Sequence, residues 1–204
     1  MVLEGRFVSL VPLEGLHAAE LFSAASRPEI WRHMPVRGFT GIADVERWID
    51  AARESARSGT EEPYAIVDNA TGSAIGSTRF LDIKPAERAL EIGWTWLAPA
   101  HQRTAANSES KFLLLAEAFE SRDVLRVTFF TDADNGRSRA ALVKLGAVYE
   151  GTLRLHRARA INNFERHSAV YSIIATEWRK VKFDLERRLS RPPRGAAYVS
   201  RSVP

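Results

Sequence analysis

The sequence predicts an α+β fold in three layers, a sheet flanked by helices, and three observations carry the prediction. Between Ala89 and Ala147 a strand, a polar turn, a helix, a second strand and a second helix follow in tight order. On either side of this segment, apolar runs are joined by turn-forming residues, which marks hairpins. Elsewhere apolar residues recur at helical spacing, so each helix has one face to bury against a sheet. With 204 residues and 45% hydrophobic content the chain can bury one sizeable core. A single domain over residues 1–190 follows, with 191–204 as a tail.

Arg6 to Leu13 reads as a first strand, closed by a proline and a glycine. Leu16 to Ala25 reads as a short helix that stops before Pro28. Ile42 to Arg57 is amphipathic, with Val45, Trp48, Ile49, Ala52 and Ala56 on one stripe. Pro63 to Asp68 and Ala74 to Asp82 are strands joined by the turn Asn69-Ala70-Thr71-Gly72. A second turn, Lys84 to Arg88, leads into the strand at Ala89, whose apolar run Leu90 to Leu97 stops at Pro99. The polar turn His101 to Asn107 then opens a helix. After the next strand and helix, Val148 to Leu155 and Ser168 to Ile174 read as a final strand pair, with Ala160 to Asn163 as their turn. Thr176 to Leu189 is a charged amphipathic helix using Trp178, Val181, Leu185 and Leu189. The tail RPPRGAAYVSRSVP has too little apolar content to fold alone and is expected to be flexible.

Composition excludes several classes. The chain has no cysteine, which removes disulfides, cysteine-ligated zinc and an acyl-cysteine intermediate, and its five histidines show no paired metal spacing. No apolar run approaches the ~18 residues of a membrane span. The N-terminus MVLEGRFVSLVPL lacks the basic start and long apolar segment of a signal peptide. A cytoplasmic protein without metal is expected. The formal charge of +4 is uneven: from Arg179 onward there are eight Lys/Arg against two acidic residues, a net of +6, so residues 1–178 carry about −2. Nucleic-acid binding through the basic C-terminus is therefore the reading of a tail, not of the folded part.

The turn before the helix near Asn107 is where chemistry enters. A helix opening from a polar turn presents unsatisfied N–H groups and the positive end of its dipole, which is an anion site suited to phosphate. Further on, Asn135-Gly136-Arg137-Ser138 precedes an apolar helix that ends in Lys144-Leu145-Gly146. The order of elements and these two signatures resemble the GNAT N-acetyltransferases over nearly the whole chain, and within them the ribosomal-protein N-terminal acetyltransferase branch. The second signature matches closely. The first, a glycine-containing phosphate turn in that family, reads here Gln102-Arg103-Thr104-Ala105-Ala106-Asn107, with Ala105 and Asn107 at the glycine positions. Alanine is tolerated if φ stays negative. Asn107 reads either as a helix cap or as a ligand contact, Arg103 as a phosphate partner or a solvated charge. Glu109 suits the helix dipole but would repel a nearby phosphate.

The resemblance implies a mixed, mostly antiparallel seven-stranded sheet, splayed between the fourth and fifth strands, that binds acetyl-CoA as cosubstrate. It implies direct transfer to a small-molecule or peptide amine in a ternary complex, with a homodimer left open. Glu91, a carboxylate on an apolar strand, is the base candidate, since burial would raise its pKa; its bland alternative is an outward carboxylate paired with Arg79. Backbone groups of Trp94, Thr95 and Trp96 would hold the cosubstrate's arm, the tryptophan rings serving as core or cleft wall. Asn135 would bond the arm or simply make a turn, Ser138 would donate to the sulfur, and Tyr171 is an alternative acid or a packing residue. Trp31 to Arg37 and the cluster Arg154, His156, Arg157 and Arg159 would border the acceptor, the cluster favouring one with acidic character. A domain that binds CoA without transferring the acetyl group is the remaining alternative.

Overall fold

A computed structural model describes residues 1–159 and 164–190. The expected turn at 160–163 and the tail at 191–204 lie outside the described residues. The elements are β1 (Leu3–Glu4), β2 (Val8–Pro12), α1 (Ala18–Ala24), α2 (Ile42–Arg57), β3 (Glu62–Asp68), β4 (Ala74–Lys84), β5 (Ala89–Leu97), α3 (Ala105–Ala116), β6 (Arg126–Asp132), α4 (Gly136–Leu145), β7 (Val148–Arg159), β8 (Phe164–Ile174) and α5 (Ala175–Leu189). No helix among the described residues is long and apolar enough to cross a membrane.

The strands form one sheet in the order β1-β2-β3-β4-β5-β6-β8-β7. The eighth strand beyond the seven expected is β1, two residues that fold back to pair Leu3 with Leu10 and Glu4 with Ser9. All neighbouring pairs are antiparallel except β5 and β6. Those two match only at Ala89–Arg126, Leu90–Val127 and Glu91–Thr128, while β5 stays paired with β4 as far as Leu97. Beyond Glu91 the sheet therefore opens into a V, where the family resemblance places it.

Period-2 burial sorts the sheet into two faces. Tyr64 and Ile66 share a core with Phe80, Leu90, Ile92 and Phe129, covered by Leu114, Leu115, Leu142, Trp178, Val181 and Leu185 of α3, α4 and α5. Ala65, Ala74 and Trp96 belong to a second core, covered by Leu21 of α1 and by Val45, Ile49 and Ala52 of α2. The sheet thus lies between two helical layers. The amphipathic stripe of α2 places its ends at the predicted residues.

Two local features tie the site to this frame. Glu109 of α3 does not face a phosphate. Its carboxylate accepts the backbone N–H groups of Arg6, Phe7 and Val8 at 2.9, 2.6 and 2.8 Å, so it anchors α3 to the β1–β2 turn. In β5 an extra residue enters between the pairs Arg79–Gly93 and Ser77–Trp96, and Trp94 takes a left-handed φ of 50°. The bulge turns the strand where the V begins. Gly76 in β4 permits the close approach there, since a Cβ would sit 2.2 Å from the Trp96 carbonyl oxygen.

Candidate active site

The V between β5 and β6 is a cleft of about 600 Å³. One wall is β5 from Glu91 to Leu97, the other Phe130 and Thr131 of β6 with the start of α4. The turn before α3 closes one end, while His33, Met34, Pro35, Arg157 and Arg166 contribute to the lining as well.

At the turn end, Thr104 caps α3: its Oγ1 accepts the Ala106 N–H at 3.2 Å and donates to the His101 carbonyl at 2.7 Å. Asn107 is therefore not the cap. It lies in the first helical turn and lines the cleft with Ser108. The left-handed residue is Arg103, at φ 65°, so Ala105 and Asn107 occupy ordinary helical conformations and the turn forms without glycine. Ala106 buries its methyl group in the core and offers only backbone. Gln102 donates to the Leu97 carbonyl at 3.0 Å and accepts from Arg137 at 2.7 Å, linking the turn to α4. Arg103, Arg137, Lys144 and Arg188 add four cations to the cleft lining. Together with the N–H groups of the first turn of α3, which have no intrahelical acceptor, they suit a phosphate-bearing ligand.

At the other end, Glu91 is only 8% exposed. Burial pushes its carboxyl up to about 7, against the opposing pull of Arg157 and Arg166. The Arg157 Nη2 lies 3.9 Å from the Glu91 carboxylate. Arg79 is not its partner. That guanidinium pairs with Glu61 at 3.1 Å and sits 4.8 Å from the Trp94 ring and 4.9 Å from the Trp48 ring. Trp31, Phe39, Trp48, Trp94 and Trp96 form a continuous aromatic wall behind β5.

Three features escaped the sequence reading. Lys111 of α3 is buried, its Nζ donating to Thr95 Oγ1 at 2.5 Å, and burial pushes its amine down to about 7. Its spacing of four from Asn107 and three from Ser108 put it on the same helical face, a signal that was present. His33 holds Asp132 at 2.9 Å through Nδ1, joining the α1–α2 loop to the end of β6. Arg166 of β8 is 8% exposed and donates from Nε to Ser168 Oγ at 2.9 Å.

The remaining expected residues divide. Asn135 and Ser138 both line the cleft, but the Asn135 side chain accepts the Ser138 N–H at 3.0 Å and so caps α4. Tyr171 is not among the cleft-lining residues. It is buried against the Tyr149 ring, and its hydroxyl accepts from Arg139 Nε at 3.2 Å. Of the basic cluster, Arg157 reaches the cleft, His156 packs against the Phe130 ring at 4.9 Å, and Arg154 is exposed. The side chain of Arg159 lies outside the described residues.

The sequence model of the acetyltransferase (GNAT) domain matches residues 8–148. Among solved structures, a GCN5-related N-acetyltransferase from Brucella melitensis is 28% identical, with a TM-score of 0.86 over 93% of this chain and 86% of that one. A T. thermophilus protein assigned as an acetyltransferase is 32% identical, with a TM-score of 0.83 over 92% and 96% of the two chains. RimJ from Mycobacterium smegmatis, in complex with CoA-disulfide, shares the fold at 20% identity and a TM-score of 0.75, over 89% and 88%. Among functionally curated proteins, none matches the chain.

Proposed function

Because the chain belongs to the GNAT acetyltransferase family, we propose that it transfers an acetyl group from acetyl-CoA to a primary amine, a small molecule or a peptide N-terminus, by direct attack in a ternary complex. The observation that carries this reading is the end of β5–β6 pairing at Glu91. Beyond that residue the inner edge of β5 has backbone N–H and C=O groups with no strand partner, which an amide-bearing arm can satisfy. The same opening joins the α3 N-terminus at one end to a buried carboxylate at the other.

Acetyl-CoA, when bound, supplies the activated thioester. In this reading the turn from Arg103 to Asn107 and the cations Arg103 and Arg137 hold its phosphates, while the backbone of Trp94 to Trp96 holds its arm. Glu91, with its carboxyl near 7, takes a proton from the acceptor ammonium, directly or through one water. Ser138, in the first turn of α4, donates a hydrogen bond or proton towards the sulfur. Of the aromatic wall behind β5, Trp94 and Trp96 belong to the cleft lining.

Thermal-shift measurements with acetyl-CoA, CoA and desulfo-CoA, together with thiol release across an amine panel, test the proposal. A shift with all three ligands and amine-dependent thiol release are expected. No shift with any of them refutes cosubstrate binding. A shift without thiol release for any amine refutes transfer.

A further inference from the structure

The end of the cleft that would receive an amine is built against a simple cation. Arg157 on β7 and Arg166 on β8 both line it, from adjacent strands beyond the tip of the V. The Arg157 Nη2 stands 3.9 Å from Glu91, and its Nε is buried with no hydrogen-bond partner among the described residues. Arg166 is fixed by Ser168 at 2.9 Å and is nine-tenths buried. Burial first and then the nearby Arg157 push its guanidinium below the ordinary arginine range, against the opposing pull of Asp132 and Glu91. Asp132, held by His33 at 2.9 Å, and Glu91 both act back on Arg166, but Glu91 is the acidic group closest to Arg157 among the residues lining this end and also faces the buried Lys111. Three basic groups, Arg157, Arg166 and Lys111, share two carboxylates, Glu91 and Asp132.

An alkylammonium entering here meets repulsion from the half-exposed Arg157 and the buried Arg166, which Glu91 and Asp132 offset only in part. A carboxylate on the incoming molecule changes the balance. It pairs with the planar donor fork of an arginine, for which that geometry is suited, and it gives the buried Arg157 Nε an acceptor. The same positive field favours the neutral form of the amine, which is the nucleophile.

We propose that the acceptor is a primary amine bearing a carboxylate, held by Arg157 and Arg166 while its nitrogen faces Glu91. The inference rests on the transferase reading above and narrows its substrate class. The carboxylate can come from a free amino acid or from an acidic side chain next to a peptide N-terminus.

The test compares matched acceptors by thiol release: amino acids against their amides, and short peptides with Asp or Glu at the first or second position against the Asn or Gln counterparts. The acidic member of at least one set is expected to have a kcat/KM higher by about ten- to a hundredfold, the worth of one charge-assisted hydrogen-bonded pair. The set that shows the preference identifies the source of the carboxylate. In Arg166→Met the preference is expected to collapse through KM for the acceptor, with the CoA thermal shift retained. Arg157→Gln, at a half-exposed position on β7, gives the same readout without emptying a buried site. Turnover with equal kcat/KM for acid and amide in every set overturns the inference and leaves the transferase reading standing. A preference that survives both substitutions overturns the assignment to these arginines. Absence of both turnover and a CoA shift overturns the transferase reading and this inference with it.

Discussion

Glu91→Gln separates the two consequences of burying a carboxylate in the cleft. The group titrates near 7 in the fold, against 4.5 for the ordinary glutamate. At ~1.4 kcal/mol per pKa unit, that difference is about 3 kcal/mol of free energy opposing the charged form in the folded state. The sign follows from proton counting. Between 4.5 and about 7 the folded chain holds a proton that the unfolded chain has released, so stability falls as pH rises through this window. Above it the full penalty is present. Glutamine has the shape of the protonated acid and never charges. Its advantage over glutamate is expected to be near zero below pH 4.5 and up to about 3 kcal/mol above pH 8, or roughly 6–12 °C in Tm for a domain of this size.

The assay is the difference in Tm between the two proteins from pH 4.5 to 9, in which titrations common to both cancel. Lys111 does not fully cancel, because the Glu91 charge supports its protonated form; losing it reduces the gain below pH 7. The same substitution is expected to slow turnover by about 10²–10⁴-fold if Glu91 is the base, and to remove the rise of kcat/KM with pH through about 7. A Tm difference that is flat from pH 4.5 to 9 refutes the burial argument. Unchanged turnover at saturating amine refutes the role of base.

Lys111→Met is expected to show the opposite pH slope. The amine titrates at about 7 in the fold instead of 10.5, so its penalty is greatest below pH 7 and fades towards 10.5. Methionine should therefore raise Tm more at pH 6 than at pH 9, and an equal or reversed effect counts against the buried amine. Glu109→Ala strips the acceptor from three backbone N–H groups and is expected to cost at least about 3 kcal/mol in urea unfolding, since each orphaned donor costs ~1–3 kcal/mol; a loss below 1 kcal/mol contradicts the anchoring role. Thr104→Ala removes the α3 cap and should cost about 1 kcal/mol while weakening CoA binding measured by calorimetry. Unaltered CoA affinity would detach the cap from the phosphate site.

The elements legible in the sequence are those whose signal is periodic. The stripe of Val45, Ile49 and Ala52 sets α2 residue for residue, and the alternation through Tyr64, Ala65 and Ile66 sorts β3 between two cores. Single side-chain choices at boundaries are less decisive. Thr104 and Asn107 are both capping residue types, and only the φ of 65° at Arg103 decides that the helix begins after the threonine. β1, two residues long, is too short to carry any period.

The site divides along the same line. Glu91 is visible because a carboxylate interrupts an apolar strand. Lys111 follows the polar stretch Ser108 to Ser110, and Arg166 lies between Glu165 and His167, where a charge ordinarily means solvent. What brings them to one cleft is the opening between β5 and β6, a property of pairing between segments about 37 residues apart at Glu91 and Thr128. Because that opening removes strand partners from one edge of β5, it exposes backbone and strand-interior side chains to one shared space. Polar groups that look unrelated in the chain then meet in it, Glu91 with Arg157 at 3.9 Å and Lys111 with the Thr95 hydroxyl at 2.5 Å. The substrate class follows from which of these charges are left over, and only the splayed sheet shows that the surplus is positive.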